Sequence, residues 1–371
     1  MVKCQVVMEA LDAMAPRCLA ESWDNVGLMA GSPAQGVHKI LVCLDVSEKV
    51  VKQAVQDGCD MIVSHHPLFF KPLKNLRTDL PQGRLLQLLM ENKIAVFSAH
   101  TNLDIASGGV NDVLAELLGL ENIQPFAVTG KEEMVKLVVF TPQAQAGLIQ
   151  EAIGNAGAGH IGRYSHCSFQ TAGQGSFLPL AGAQPFIGQL GHLETVMEVR
   201  LETILPVRLQ NKVIKAMLKV HPYEEAAYDL YPLENAGAVM SLGRIGQLPE
   251  AVAVEDFAQK VKQVLPGDTV RLVCGGRRMV RKIALCSGSG AEFIAKAAYM
   301  GADVYVTGDV KYHDAQKAEQ LGIHVIDAGH FGTEMPIVRI LAEKLAACAA
   351  QGQWDITVEA DVVSQDLFRT V

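Results

Sequence analysis

Three apolar runs, each ending in polar residues and separated by helix-like stretches, set the rhythm of the first third of the chain. Lys39 to Leu44 is branched and apolar and stops at Asp45. Asp60 to Ser64 runs into His65 and His66, and Ile94 to Ser98 runs into Ala99-His100-Thr101-Asn102-Leu103-Asp104. Short β-branched runs bounded by turn residues predict buried strands. Between them, Ser47 offers an N-cap for a helix over 48–57 closed by Gly58, and Leu85, Leu86, Leu88 and Leu89 mark a helix over 83–92. Alternating strands and helices predict a parallel sheet with right-handed crossovers. Upstream, a helix is expected over Val6–Met14, closed by Pro16, and Trp23-Asp24-Asn25-Val26-Gly27-Leu28 reads as a loop pinned over the core by its tryptophan.

The pattern returns near the C-terminus. Lys282–Cys286 echoes Lys39–Cys43, Gly301–Thr307 echoes Gly58–Ser64, and Ile323–Ala328 echoes Ile94–Ala99, all in the same register. Each half is therefore expected to be a β-α-β-α-β unit. The second set of strand tips carries Ser287-Gly288-Ser289-Gly290, Gly308-Asp309 and Gly329-His330-Phe331-Gly332-Thr333-Glu334. Between the halves the rhythm changes. Strands are expected over Val135–Phe140, Ser165–Thr171, Val196–Leu205 and Ala226–Tyr231, with helices over Gln143–Asn155 and Pro206–Leu218. That order is the split ferredoxin-like plan. The fold expectation is α/β: two similar lobes, 1–130 and 234–371, forming one core interrupted by an α+β insert at 131–233. His221-Pro222-Tyr223-Glu224-Glu225 reads as a helix-to-strand turn, and Gly243-Arg244-Ile245-Gly246 as a bend.

Composition narrows the class. A chain of 371 residues that is 49% hydrophobic can bury a large core, and a net charge of −8 with mixed signs argues against nucleic acid as a partner. The amphipathic N-terminus does not read as a signal peptide, and no apolar run is long enough for a membrane span. Eight cysteines without CxxC spacing read as small apolar residues of a reducing cytoplasm.

The chemistry lies at the strand tips. Open α/β sheets bind ligands beyond the carboxyl ends of their strands. Consecutive strand residues point to opposite faces, so His65 and His66 suit two neighbouring ions better than one. If the halves face each other, His65, His66, Asp104, His330 and Glu334 share one cleft. Three imidazoles and two carboxylates can hold two divalent ions, and mixed nitrogen and oxygen donors suit Zn, Mn, Fe, Co or Ni rather than Ca or Mg. His100, Asp309, Lys311 and His313 are secondary candidates. The segment from Asp309 to Asp314 reads equally as a source of a general acid or base, or of a partner that orients a metal ligand, and as a helix N-cap at Asp309 with a solvated first turn. The loop 287–290 precedes a helix, and its amides could hold an anion. Nucleophilic cysteine or serine chemistry lacks its partners and its elbow.

These segments together resemble a known family. Trp23–Leu28, Ser64-His65-His66-Pro67, His100–Asp104, Thr307–His313 and Gly329–Glu334, in this order, look like the motifs of the Nif-three-like family, whose bacterial members are often labelled GTP cyclohydrolase I type 2 homologues. The middle segment with His221–Ala226 resembles the PII- or CutA-like insert of the longer members. The resemblance implies a dinuclear site at His65, His66, Asp104, His330 and Glu334, with Glu334 and Asp104 as bridging candidates. It also implies a ring-shaped homohexamer and action on GTP. The resulting expectation is a cytoplasmic metal-dependent hydrolase of a nucleotide or other phosphate-containing small molecule, with His313, Asp309 or His100 moving protons. The alternative is a non-catalytic metal-binding or regulatory assembly whose insert senses a ligand or partner.

Overall fold

The computed structural model describes residues 1–235 and 237–369. The chain divides into two compact units, Met1–Thr129 with Met240–Val371, and Gly130–Val239. The expected insert, 131–233, is shorter than the second unit by up to six residues at one end. The chain crosses between the units at the ends of two long strands, Glu121–Lys131 and Val239–Ala253, rather than in loops.

The larger unit holds two sheets built on the repeat. In the first, Lys39–Cys43, Met61–Ser64 and Ala95–Ser98 pair in parallel, aligned at Ile40, Met61 and Ala95. In the second, Met279–Ser289, Val304–Gly308 and His324–Asp327 pair in parallel, aligned at Ile283, Val304 and His324. These are the positions the sequence echo equates. An aspartate staples each sheet in the same way: Asp60 accepts from the backbone amides of His38 and Lys39, and Asp303 from those of Arg281 and Lys282. The central strands are buried on both faces, as in a sheet covered by helices, which explains why they read as continuous apolar runs.

The helices start and stop largely for the expected reasons. Ser47 Oγ accepts from Val50 N at 3.2 Å to open Glu48–Gln56, and Gly58, at φ +69°, takes the left-handed turn that ends it. The first helix begins two residues earlier than expected, at Cys4, because its amide and that of Gln5 are taken by the carbonyls of Gln35 and Pro33.

The periodicity did not reveal how the lobes are laced. Thr357–Ala360, at the C-terminal end, adds to the first sheet beside Lys39–Cys43, while Glu121–Lys131 lies at the edge of the second sheet beside Val239–Ala253. Each lobe thus lends an edge strand to the other's sheet. Gly243–Gly246 is not a free bend but lies inside the Val239–Ala253 strand, and Arg244 is buried there. Its guanidinium pairs with Asp112 and donates to the carbonyls of Ile105, Ala106, Ser241 and Gly243, binding residues of both halves.

The smaller unit is a four-stranded antiparallel sheet in the order Tyr228–Leu233, Met134–Pro142, Glu194–Pro206, Phe169–Phe177. With helices Ala146–Asn155 and Gln210–Val220 this is the ferredoxin-like arrangement. Leu137, Val139, Ile149, Leu201, Val213 and Met217 form its core. Glu194–Pro206 is longer than the strand expected over Val196–Leu205, and Phe169–Phe177 lies further along the chain than the expected Ser165–Thr171, since exposed Gly, Gln and Ser in 169–177 hide a strand from an apolar pattern. His221 ends the second helix, bonding Phe140 O through Nε2 and accepting from Tyr223 N, as a turn residue.

Candidate metal centre

All five residues expected to bind metal converge at the strand tips of the larger unit. The backbone of His65 and His66 continues the ladder one step past Ser64, donating to the carbonyls of Cys43 and Leu44. Their rings do not take opposite faces: they turn into one cluster with centroids 5.2 Å apart, yet they serve different groups. One group comprises His65, Asp104 and Glu334; another comprises His66, His330 and Glu334, the ligand atoms within each lying within 4.8 Å of one another. These buried His, Asp and Glu groups can bind metal ions.

Glu334 is the shared member. It ends a five-residue helix, His330–Glu334, so the side chains of His330 and Glu334 stand one turn apart. Its Oε1 lies 3.8 Å from His65 Nε2, while Oε2 lies 2.9 Å from His66 Nε2 and 3.1 Å from His330 Nε2. Asp104 belongs to the His65 group alone, with Oδ1 3.7 Å from His65 Nε2 and accepting from Ser287 Oγ at 3.2 Å. His65 is 1% exposed, and its Nε2 has no hydrogen-bond partner. Separations of 3.7 and 3.8 Å are too long for hydrogen bonds, yet they suit two oxygens and a nitrogen gathered around one cation about 2 Å from each. A buried nitrogen left unpaired is costly, and a cation between these atoms satisfies it.

The imidazoles are aimed by what holds their other nitrogen. Nδ1 of His65 bonds Ala99 O at 2.9 Å, that of His66 bonds Asp45 at 2.8 Å, that of His330 bonds Asp309 at 2.8 Å, and that of His100 bonds Asp24 at 2.8 Å. A carbonyl or carboxylate can only accept, so each Nδ1 carries a hydrogen and Nε2 is the nitrogen turned toward the cluster. Metal-binding histidines are fixed in this way. Asp45 was visible in the sequence only as the end of a strand, and Asp24 as part of a loop read first as structural, from which Asp24 or Asn25 could reach a site without the sequence placing them. The Asp24 side chain is enclosed, and besides His100 it accepts from the amide and the hydroxyl of Thr101. The signal was available: an acid directly after a strand, opposite a histidine-bearing tip.

The electrostatics favour positive charge. Burial pushes Glu334 up, but the hydrogen bonds from His330 and His66 and the nearby His65 imidazole outweigh it and hold the carboxyl well below its ordinary range. Burial pushes His66 down, yet Asp45 and Glu334 carry it up to about 10. The hydrogen bond to Glu334 leads the effects that raise His330 to about 9. Asp104 is raised, chiefly by burial. Asp24, opposed by burial, is brought to about 2 by His100 and Thr101.

The loop 287–290 does not cradle an anion. Its amides are spent on Asn111 Oδ1, Thr333 Oγ1 and Thr307 Oγ1. Gly288, at φ +60°, instead makes room for the site, because a Cβ there would lie 2.2 Å from Glu334 Oε1. His100 joins the cluster through His65 and His66. Asp309 supports His330, but His313 turns to Gln316 of its own helix at 3.0 Å, and Lys311 caps that helix.

Replacing Asp45 by Asn is expected to weaken metal binding at the His66 group by roughly 10–100-fold, as loss of a histidine's outer partner does elsewhere. Competition against a chromogenic chelator measures it, and unchanged affinity would remove Asp45 from the site.

The model of the Duf34/NIF3 (NGG1p interacting factor 3) family matches residues 2–366. The chain belongs to this family. Among NIF3 relatives, a protein of Halalkalibacterium halodurans named GTP cyclohydrolase 1 type 2 homolog is 42% identical over 364 residues, covering 98% of both chains. A Bacillus subtilis protein of the same name is 45% identical over 334 residues, 90% of each. The crystal structure of a Bacillus cereus protein related to NIF3 superposes with a TM-score of 0.92 at 43% identity, covering 100% of this chain and 99% of that one. No helix among the described residues is long and apolar enough to cross a membrane.

Proposed function

We propose that this NIF3-family chain is a metal-dependent hydrolase that carries two divalent ions, one in the His65–Asp104–Glu334 group and one in the His66–His330–Glu334 group. The observation that carries the reading is the division of Glu334, one oxygen to each group, beside an unpaired His65 Nε2. Bound there, divalent ions supply Lewis acidity and the means to lower the pKa of a water. Mn, Fe, Co, Ni and Zn all suit the donors.

The chain's own residues do the rest. Asp45, Asp309 and the Ala99 carbonyl keep three imidazoles aimed inward. Asp24 fixes His100 with Nδ1 protonated, so that Nε2 is the nitrogen available to take a proton from the attacking group and return it to the leaving group. His313, bonded within its own helix, has no part in this scheme. A nucleotide or other phosphate-containing small molecule is the proposed substrate, in line with the names of the relatives that span nearly the whole chain.

The test is to load the purified chain with each metal in turn and screen GTP, other nucleotides and simple phosphoesters, with a chelated sample alongside. Turnover should appear on loading and vanish on chelation. Turnover that survives complete metal removal sinks the proposal, and tight metal binding with no turnover across the panel favours the non-catalytic alternative.

A further inference from the structure

Two large aromatic side chains stand at the edge of the cluster without being part of the core. Trp23 is 57% exposed and Phe70 is 55% exposed. Their ring centroids are 5.6 Å apart, and each lies 6.1 Å from the ring of His100. His100 in turn lies 5.3 Å from His65 and 5.7 Å from His66. The aromatic pair is thus one ring removed from the metal-binding imidazoles.

The pair is held in place. Asp24, next to Trp23, is tied to His100 and Thr101, and Asn25 Nδ2 donates to Phe69 O at 2.7 Å, joining the Trp23 loop to the loop that carries Phe70. Single exposed apolar residues are ordinary, but two touching aromatics fixed beside a polar site form a patch that calls for an occupant. Charge narrows the choice. Lys71 follows Phe70 directly, and Lys74 lies three residues on. Both are exposed, and neither has an ion pair among the described residues. An occupant should therefore present a flat π-face and carry negative charge.

We propose that Trp23 and Phe70 form a stacking platform for the base of a mononucleotide whose phosphate reaches the metal-binding groups past His100. The inference rests on the hydrolase reading above and deepens it by assigning the substrate's planar end. Every base offers a π-face, so stacking alone tolerates either purine and does not select guanine.

The experiment is calorimetric titration of the metal-loaded full chain with GMP, AMP and ribose 5-phosphate. GMP and AMP should bind comparably, and both more tightly than ribose 5-phosphate. Trp23→Ala and Phe70→Ala should each weaken nucleotide binding, with roughly a tenfold or greater loss for Trp23→Ala, while ribose 5-phosphate stays within about twofold. Trp23→Phe should restore most of the nucleotide affinity. Metal content, measured for every variant, reports that the fold and the cluster persist. The inference is overturned by equal binding of GMP and ribose 5-phosphate to the wild type, by no saturable nucleotide binding, or by equal losses for all ligands in Trp23→Ala. Should metal loading and phosphoester turnover stand while the base makes no difference, the platform alone is refuted. Absence of metal binding in the wild type refutes the hydrolase reading itself.

Discussion

Glu334→Gln disables both metal groups at once. The substitution keeps the side chain's size and removes its charge, and no other residue belongs to both the His65–Asp104 group and the His66–His330 group. Gln offers one oxygen where two were divided between His65 on one side and His66 and His330 on the other. Losing an outer partner of a ligand costs about 10–100-fold in affinity, so losing the shared ligand should cost more than about 100-fold in metal affinity at either group. Metal analysis of the dialysed variant reads the effect directly, and turnover should fall with occupancy. Asp104→Asn is the contrast: it touches only the His65 group, so metal binding at the His66–His330 group should stay. A Glu334→Gln protein with wild-type metal content would show that the carboxylate is no ligand. Circular dichroism confirms that the variant is folded before the comparison is made.

Arg244→Met is the largest expected loss of stability. Arg244 is 7% exposed, and its guanidinium pairs with Asp112 and satisfies four carbonyls drawn from residues 105–106 and 241–243. Methionine fills similar space without a donor, so the Asp112 charge and those carbonyls lose their partner. Breaking one side of a buried pair typically costs about 3–5 kcal/mol. Urea unfolding should show that loss, and adding Asp112→Leu should recover part of it, because the unpaired charge is then gone. A loss below about 1 kcal/mol would mean that the pair behaves as a surface bridge and does not hold the lobes together.

The legibility of the chain differs between backbone and site. The parallel strands were readable because both of their faces are buried, which forces unbroken apolar runs. The repeat was readable because register is fixed by those same runs. Where a strand is exposed on both faces, as in Phe169–Phe177, the apolar signal fades and the strand is misplaced. The exchange of edge strands left no trace either. Thr357–Ala360 and Glu121–Lys131 owe their places to backbone pairing with strands remote in sequence, and backbone groups are the same for every residue.

The ligands show the same division. The sequence by itself determined which residue types stand at the strand tips, because strand ends and turns are local, and it placed His65, His66, Asp104, His330 and Glu334 among them. Only the tertiary structure decided how they divide. The two halves share a frame but not ligand positions: by register His65 corresponds to Gly308, and Glu334 to Ile105. Which oxygen of Glu334 meets which imidazole therefore depends on how one lobe packs against the other. So does the role of Asp45, Asp24 and Asp309, each of which reaches a histidine at least 21 residues away. A side chain's neighbours along the chain fix its backbone conformation, but the partner for its Nδ1 or its carboxylate is supplied by whatever the folded core brings within 3 Å.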